Sequence, residues 1–240
     1  MDLFEFETKA SHQGFKNIAG IDEAGRGPLA GPVVAAAVIF PSQVNIPGLN
    51  DSKKLSAKKR EELFPKIQEI SVSYGVAVVG QKVIDKINIL QATYKSMEKA
   101  LCNLKRQPDK IMVDGFALPL KGIKSEGVIK GDEKIEQISA ASIIAKVARD
   151  KFMKLVDSIF PEYEFKNNKG YGTKNHIAAL KDNKATLIHR KTFRPVSENL
   201  PSKQITNTVS YKAQLSSQKD LLKELNKDIN NWFKLNALIK

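Results

Sequence analysis

Residues Ile18 to Pro28 read IAGIDEAGRGP, and their pattern predicts the centre of the fold. The apolar first half of this stretch is typical of a strand, and this strand ends on two adjacent carboxylates, Asp22 and Glu23. A glycine-arginine-glycine sequence at residues 25–27 follows, so the backbone can turn there with few side chains in its way. The stretch therefore predicts a strand that carries acids to one edge of a sheet.

The same ending occurs twice more, where an apolar run stops on an acid beside a glycine. A predicted strand at Lys110–Asp114 ends in this way, and the apolar triplet Gly127–Ile129 leads to Asp132. Taken singly, each acid is most often an ordinary turn residue, because Asp and Gly are common in turns. Three such endings in one chain favour a shared site. If the strands adjoin, the carboxylates repel one another, and their pKa values rise unless a cation compensates their charge.

A cluster of carboxylates indicates a hard divalent cation, Mg²⁺ or Mn²⁺, because these ions choose oxygen ligands. Two such ions roughly 3.5–4 Å apart can clamp the attacking and leaving oxygens of a phosphodiester. Histidine and cysteine have no obvious place in the pattern, which disfavours zinc.

The charge of the chain agrees with a polyanionic substrate. Its 240 residues include 39 basic and 26 acidic side chains, which give a net charge of +13. Such a protein attracts nucleic acid or an anionic membrane surface. A basic protein around an acidic centre therefore suits an enzyme that acts on nucleic acid.

Composition also bears on location. No apolar run approaches the roughly 20 residues of a membrane span, and the N-terminal MDLFEFETKA is acidic, unlike a secretion signal. The single cysteine, Cys102, cannot form an internal disulfide, and its helical context predicts a filler residue in the packing. We therefore expect a reduced, cytoplasmic protein that does not bind a membrane.

Changes of apolar period predict a mixed α/β sheet that is covered by helices on both sides. The run Val33–Phe40 is almost continuously apolar and suits a strand buried on both faces. The predicted strands are residues 17–21, 33–40, 72–79 and 110–114, with the short triplet 127–129.

Three segments of this body predict helices. The first follows Ser56 as its cap, and Pro65 should kink it or cut it short. The second begins at a capping box formed by Asn88 and Gln91. The third, residues 138–156, is rich in alanine and isoleucine and predicts a helix pressed closely against the sheet. The buried face predicted for the first helix consists of Leu63, Ile67 and Ile70.

The motifs together closely resemble bacterial ribonuclease HII, in the same order and at matching spacing. The resemblance covers about residues 18–196. It implies a ribonuclease H-like fold with a five-stranded mixed sheet, and endonucleolytic cleavage of RNA in RNA–DNA hybrids, including a lone ribonucleotide embedded in duplex DNA. It also implies 5′-phosphate and 3′-hydroxyl products. We expect a monomer. The segments that carry it are IDEAGRGPLAGPVVAAAV, NDSKKLS, NILQATYKSM, VDG, KGDEKIEQISAASIIAKVARD and NKGYGTKNHIAAL.

Matched residue by residue, the resemblance implies catalytic and metal-binding roles for four acids. They are Asp22, Glu23, Asp114 and Asp132. It assigns recognition of the RNA-to-DNA junction to a second cluster, in which a ring packs on the deoxyribose and polar groups read the 2′-hydroxyl. This cluster consists of Gly25, Arg26, Gly27 and Tyr171. One geometric difficulty follows, because neighbours on a regular strand point to opposite faces. Asp22 and Glu23 can both reach one metal cluster only if the strand bends there or if Glu23 contributes in a different way.

Further residues look suited to phosphate contact. Ser139 lies beside a predicted helix start, where amide groups favour anions, although a plain N-cap role stays open. The others are Asn50, Ser52, Lys53 and Lys54, with Lys146 and Arg149 farther along the third helix; for the lysines, a solvated surface stays open.

For three residues outside these groups we expect no catalytic role. For His176 and His189 we expect surface or hydrogen-bonding roles rather than catalysis. Thr192 stands in KTFRPV where the family more usually has serine, and this difference puts little in doubt.

The chain beyond Pro195 is not covered by the resemblance. We divide the protein into a catalytic domain, residues 1–196, and an extension, residues 197–240. The extension begins with a polar stretch, residues 200–210, that reads as a linker. An amphipathic helix follows, with Ser217 and Asp220 near its start and an apolar face of Leu222, Leu225, Ile229 and Trp232. Packing of this helix onto the body is the plainest interpretation. Binding of duplex through Lys219, Lys223 and Lys227, or contact with a replication clamp, stays open.

Two other functions stay open on the residues alone. An acidic nuclease of another type, such as a 3′–5′ exonuclease or a junction resolvase, also needs carboxylates at sheet ends. A basic nucleic-acid-binding module without chemistry would leave the four acids unexplained. The related ribonuclease HIII normally carries an additional N-terminal domain, whereas 17 residues precede Ile18 here, so we expect the HII type.

Overall fold

The computed structural model describes residues 12–42, 44–119 and 122–237, and for residues 226 and 228–237 it describes the backbone only. The acidic N-terminal segment noted in the sequence lies outside the described residues. Among those residues, no helix is long and apolar enough to cross a bilayer.

A mixed sheet of five strands forms the centre, and it confirms the predicted fold class. The strands lie side by side in the order β3-β2-β1-β4-β5. The pairs β1–β2 and β2–β3 are antiparallel, whereas β1–β4 and β4–β5 are parallel. Because β1, β4 and β5 run in one direction, their carboxyl ends meet at one edge of the sheet. The strands are β1 Ile18–Ala24, β2 Val33–Ile39, β3 Ser73–Val79, β4 Lys110–Asp114 and β5 Lys124–Val128.

Two strands differ from their predicted bounds. β1 does not stop at Ile21 but stays paired with β2 as far as Ala24, which lies opposite Val34. β5 begins at Lys124, three residues before the apolar triplet, and ends at Val128. It is an edge strand with mostly exposed side chains, so it needs no apolar run for a pattern to reveal.

Three long helices cover the sheet: α1 Ala57–Ile70, α2 Gln81–Cys102 and α3 Glu136–Val156. Along β2, Ala36 and Val38 pack with α1 and α3 on one face. Ala35 and Ala37 face α2 on the other. All residues of β2 are buried, as the continuous apolar run predicted.

The third helix packs on β1 without an intervening side chain. At Gly20 of β1, an added β-carbon would lie 2.3 Å from the carbonyl carbon of Gln137 in α3. Only glycine permits this approach, so the close packing predicted for this helix is confirmed.

The start of the first helix confirms its predicted cap, but other details differ, and the C-terminal helix begins at Val209, well before Ser217 and Asp220. Ser56 accepts a bond from the Lys59 amide at 3.1 Å. The helix continues through Pro65, because this proline is exposed and water can bind the carbonyl that it leaves free. Ile70 is exposed rather than buried with Leu63 and Ile67.

The second helix contains a break that the sequence did not indicate. Asn88 has a φ of 66° inside α2, and its Oδ1 accepts from the Gln91 amide at 3.0 Å. The predicted cap is therefore real, but a further helical segment precedes it from Gln81. Cys102 ends this helix and is exposed, so it does not fill the core.

Short helices and the C-terminal extension complete the fold. Two shorter helices follow α3 in the chain, α4 Phe165–Asn168 and α5 Lys174–Asn183. The predicted linker is partly helical, since α6 spans Lys203–Thr206 and α7 spans Val209–Ala237. Within the part of the chain that the structure describes, 3-10 helices lie at Gly131–Glu133, Pro161–Tyr163 and Val196–Glu198.

The C-terminal helix α7 packs onto the body where its side chains are described. Leu225 is buried in a cluster that includes Met153 and Val156 of α3, and Leu222 packs against the same cluster. The side chains of Ile229 and Trp232 lie outside the described residues. The division at residue 196 stays a prediction.

Candidate active site

Three of the predicted acids meet at the edge where the parallel strands end. Asp22 lies in β1, Asp114 ends β4, and Asp132 lies in the 3-10 turn after β5. Each offers one carboxylate oxygen, and these oxygens all lie within 4.8 Å of one another. Asp22 and Asp132 are 4% and 3% exposed. The acids are therefore held together at a partly dry site.

Glu23 lies beside this group but does not join it. β1 stays paired with β2 through Ala24, so its register is unbroken across the two adjacent acids. The Oε1 atom of Glu23 lies 3.4 Å from Nη1 of Arg26 instead. The geometric difficulty seen in the sequence is thus resolved by a three-acid cluster with the fourth acid next to it.

Burial and mutual repulsion make the charged forms of these acids unfavourable. Burial raises the pKa of Asp22 well above its usual value, and the charges of Glu23 and Asp114 raise it further. Burial also raises the pKa of Asp132, with Asp114 adding to the effect. Burial raises the pKa of Glu23, and the charge of Arg26 lowers it by less. A cation bound among the acids would relieve this repulsion.

Neighbouring groups hold the carboxylates in place. The amide of Glu23 donates to Oδ1 of Asp22 at 2.7 Å, and the amide of Gly131 donates to Oδ1 of Asp114 at 2.7 Å. A hydrogen bond from Ser142 also lowers the pKa of Asp22. The sequence did not single out Ser142, although its place on the buried face of α3 was a usable signal.

Lys53 is the predicted phosphate contact that lies closest to the acids. Its ammonium is 3.1 Å from Oδ2 of Asp132, and its side chain is 76% exposed. It can thus bind an acid of the cluster and still reach solvent. Its neighbour Lys54 instead pairs with Glu133 at 3.3 Å.

Three other predicted phosphate contacts are already engaged with groups of the protein itself. The hydroxyl of Ser52 is buried and 2.7 Å from that of Ser142. Asn50 accepts from the Asp51 amide at 2.8 Å. Lys146 pairs with Asp150 at 2.6 Å.

Ser139 has a place different from the cap considered for it. Ile135 is the N-cap of α3, and Ser139 is the fourth residue of the helix. Its hydroxyl is buried and has no hydrogen-bond partner among the residues that the structure describes. It therefore keeps free hydrogen-bonding capacity.

The second predicted cluster is also brought together. Gly25 has a φ of 101°, which favours glycine. A β-carbon at Gly27 would lie 3.7 Å from Cε1 of Tyr171, so the tyrosine ring stands against the turn. Tyr171 is 43% exposed, and Arg26 is exposed as well. The turn and the ring thus form one accessible surface.

Two buried arginines fix this surface from behind, and the sequence analysis missed their role. Arg190 donates to the carbonyl oxygens of Gly25, Arg26, Gly31 and Pro32 at 2.5, 2.8, 3.0 and 3.2 Å. Arg149 donates to those of Ala30, Pro32 and Lys169 at 3.0–3.1 Å.

Arg149 therefore cannot serve as the phosphate contact considered for it. It lies on the same buried stripe of α3 as Ala145 and Met153, four residues apart, and this spacing was the available signal. For Arg190 the local sequence carries no comparable pattern.

Comparisons with known proteins agree with this arrangement. The family model described as ribonuclease HII matches residues 19–196. A ribonuclease HII from Enterococcus faecalis is 51% identical over 197 residues, which are 82% of this chain and 77% of that protein. A ribonuclease HII from Clostridioides difficile is 50% identical over 188 residues, or 78% and 74% of the two chains.

Solved structures have the same fold. The ribonuclease H2 from Pyrococcus horikoshii OT3 is 31% identical, with a TM-score of 0.63, and covers 76% of this chain and 96% of that one. The RNase HII of a PCNA complex from Archaeoglobus fulgidus is 27% identical, with a TM-score of 0.62, and covers 81% and 98%.

Proposed function

Because this chain belongs to the ribonuclease HII family of ribonuclease H hydrolases, which cleave RNA in RNA–DNA hybrids, we propose that it also cuts at single ribonucleotides in duplex DNA. The products carry 5′-phosphate and 3′-hydroxyl ends. The observation that carries the proposal is the pairing of a three-acid cluster with an accessible turn and tyrosine. The acids suit phosphodiester hydrolysis, and the turn suits recognition of a sugar.

The acidic cluster fits hard divalent cations. Asp22, Asp114 and Asp132 offer oxygen ligands at short mutual distance. Burial first, and then neighbouring carboxylates, raise the pKa values of Asp22 and Asp132, so a bound cation would stabilise their charged forms. We assign Glu23 to the same quartet from its adjoining place. Two Mg²⁺ or Mn²⁺ ions, when bound, supply activation of the attacking water and stabilisation of the leaving oxygen.

The proposed phosphate contacts are Asn50, Ser52, Lys53 and Ser139. Lys53 is the best placed, because its ammonium is exposed and lies beside the cluster. Ser139 offers an unpaired hydroxyl near the start of α3, where the helix dipole favours an anion. Ser52 is engaged with Ser142 and acts chiefly by supporting this region.

The turn and the tyrosine would distinguish ribose from deoxyribose. Gly25 and Gly27 let backbone groups approach the sugar, since no β-carbon stands in the way. Arg26 is exposed beside them and can reach the scissile phosphate. Tyr171 can pack its ring on the neighbouring deoxyribose and bond the ribose through its hydroxyl.

One assay tests this function. A labelled DNA duplex with one internal ribonucleotide and closed ends is incubated with the full chain and Mg²⁺, Mn²⁺ or a chelator. We expect a single metal-dependent cut on the 5′ side of the ribonucleotide. Degradation from ends alone would favour an exonuclease, and binding without any cut would favour a module without chemistry.

The location, oligomeric state, cellular role and partner of the enzyme are further proposals. We expect a cytoplasmic monomer that works in ribonucleotide excision repair and DNA replication. The A. fulgidus relative in complex with PCNA motivates a contact between a replication clamp and the C-terminal helix. Co-elution of clamp with the full chain, lost when residues 197–240 are deleted, would support that contact.

A further inference from the structure

Two buried histidines touch one another behind the recognition surface. The Nε2 atoms of His176 and His189 are 3.0 Å apart, and both side chains are almost fully buried. The rings of Tyr163 and Phe165 enclose them, with centroids 5.0 Å from His189 and 5.3 Å from His176, respectively. Neither residue belongs to the acidic cluster or lies on the accessible surface.

The outer nitrogens of the pair have partners of fixed character. Nδ1 of His176 is 2.8 Å from the carbonyl oxygen of Tyr171, which can only accept. Nδ1 of His189 is 3.0 Å from the amide of Thr186, which can only donate. The Thr186 hydroxyl, at 2.8 Å, can donate to the same nitrogen. The two ends therefore impose opposite roles on the two Nδ1 atoms.

Only one arrangement of protons satisfies every contact. His176 must carry its proton on Nδ1 to donate to Tyr171, so its Nε2 accepts. His189 must leave Nδ1 bare for Thr186, so its Nε2 carries the proton and donates to His176. The contact with Tyr171 and the contacts with Thr186 each require, separately, that His189 donates the shared hydrogen bond to His176. A second proton on His176 would face the Nε2–H group of His189 across 3.0 Å. A second proton on His189 would face the amide of Thr186, also across 3.0 Å.

We propose that His176 and His189 are positioning residues, a neutral and directional hydrogen-bonded chain that fixes the Tyr171 carbonyl and so holds its ring against Gly27 for recognition of ribose. This inference rests on the proposed function of Tyr171. It goes beyond that function because it names one support of the ring. The Thr173 amide also donates to the Tyr171 carbonyl at 2.8 Å, and the Arg149 guanidinium lies 5.8 Å from the ring centroid. Burial agrees with it, since it lowers the pKa of both histidines.

The place of His189 in the sequence strengthens the inference. Its neighbour Arg190 binds the carbonyls of Gly25 and Arg26, while His189 reaches Tyr171 through His176. Ala30 also forms a β-bridge with His189. Two consecutive residues therefore hold the two halves of the recognition surface and fix the distance between them.

The first test reads the protons directly and needs no variant. The chain has three histidines, so long-range ¹H–¹⁵N spectra of the full-length protein at pH 7.5 can resolve each ring. We expect one neutral ring with its proton on Nδ1 and another with its proton on Nε2, assigned to His176 and His189. Identical tautomers, or an imidazolium at either position, would overturn the chain.

The second test separates the two ends of the chain. His176→Asn puts an amide donor near the Nδ1 position and keeps the bond to Tyr171, whereas His176→Gln keeps the bond to His189 and loses that to Tyr171. Both remove the imidazole, so they cost similar packing. We expect His176→Gln to lower kcat/KM at a single ribonucleotide about 10-fold and His176→Asn to lower it much less. Exposed His12→Asn serves as the control.

A double-mutant cycle then asks whether the effect passes through Tyr171. In a Tyr171→Ala background, His176→Gln should cost no further activity. An equal loss in both backgrounds, or equal losses in the Asn and Gln variants, would reduce the histidines to general packing and overturn the proposal. Failure of the wild-type enzyme to cut the ribonucleotide would instead overturn the proposed function, and it is read before any variant is compared.

Discussion

At the residue scale, Asp22 bears the largest electrostatic cost in the proposed site. Its burial, and then the nearby charges of Glu23 and Asp114, disfavour its negative form without a cation. Its position at the end of a central strand nevertheless keeps it there. This combination of an unfavourable charge and a rigid support is typical of groups retained for chemistry rather than for stability.

Replacement of Asp22 by asparagine should separate these two roles. Asp22→Asn keeps the shape but removes the charge, so we expect cleavage to fall at least about 1000-fold while binding of hybrid is retained. The metal-free variant should also melt at a higher temperature than the wild type, because the repulsion is gone. Cleavage assays, filter binding and thermal melts in chelator check this. Glu62→Gln, at an exposed position of α1, is the control. Turnover near the wild-type rate would contradict the metal assignment.

Gly25 and Gly27 offer a matched pair of substitutions. At Gly25 an added β-carbon would lie 2.1 Å from Nε of Arg149, and the φ of 101° is unfavourable for alanine. We expect Gly25→Ala to lower the free energy of unfolding by about 2–4 kcal/mol. At Gly27 the same methyl would meet only Cε1 of Tyr171 at an ordinary 3.7 Å.

Gly27→Ala should therefore keep its stability within about 0.5 kcal/mol but lose cleavage at a single ribonucleotide, because the methyl stands where the sugar approaches. Urea unfolding and the duplex assay, run on both variants, distinguish the two outcomes. Full activity in Gly27→Ala would show that the sugar does not approach this turn.

At the scale of elements, the C-terminal helix α7 shows how one face fixes an appendage. Leu225 is buried against α3, whereas Leu221 on the same helix is 47% exposed. Leu225→Ala should cost about 2 kcal/mol of unfolding free energy and Leu221→Ala less than about 0.5 kcal/mol. Chemical denaturation measures both. Equal effects would mean that the helix does not pack on the body in solution.

The elements that the sequence predicted are those whose burial leaves a periodic mark. The continuous run of β2 and the small residues of α3 are direct consequences of burial on both faces and of close packing on Gly20. β5 left no such mark, because an exposed edge strand such as KSEGV tolerates polar residues. The break at Asn88 depends on backbone conformation, which no apolar period reports.

The site was predictable to a similar depth. Acids that end apolar runs stand out in any basic chain, so Asp22, Asp114 and Asp132 could be found before the fold. That Glu23 stands apart depends on the register of β1. The supports formed by Arg149, Arg190 and the two histidines join segments far apart in sequence, so only the folded chain reveals them.

At the scale of the whole molecule, the buried histidines predict a dependence of stability on pH. Burial lowers the pKa of His189 to about 3, with the charge of His176 adding to the effect. The unfolded chain protonates near its ordinary value of 6.5, so the stabilisation is present above that pH and is lost as the pH falls toward 3. Between pH 8 and pH 5 the loss from His189 amounts to about 2 kcal/mol.

Thermal melts in chelator from pH 8 to pH 5 measure this loss. Asp22, Glu23 and Asp132 have the opposite effect on stability. Their pKa values are raised in the folded protein, so they take up protons on acidification and stabilise it. The comparison with His189→Gln removes that contribution, since the acids are common to both proteins. The wild type should lose more stability on acidification than the variant, and parallel curves would contradict the buried neutral pair.

The supports of the recognition surface also set an order in which the enzyme becomes complete. Its three clustered acids are all encoded by residue 132, whereas Arg190 and His189 complete the support of the turn and of Tyr171 more than fifty residues later. A chain emerging from the ribosome therefore contains the three acids before the residues that support the turn and Tyr171. Since Arg149 of α3 and Arg190 both donate to the carbonyl oxygen of Pro32, the turn gains its full set of contacts only when nearly the whole body has been synthesised.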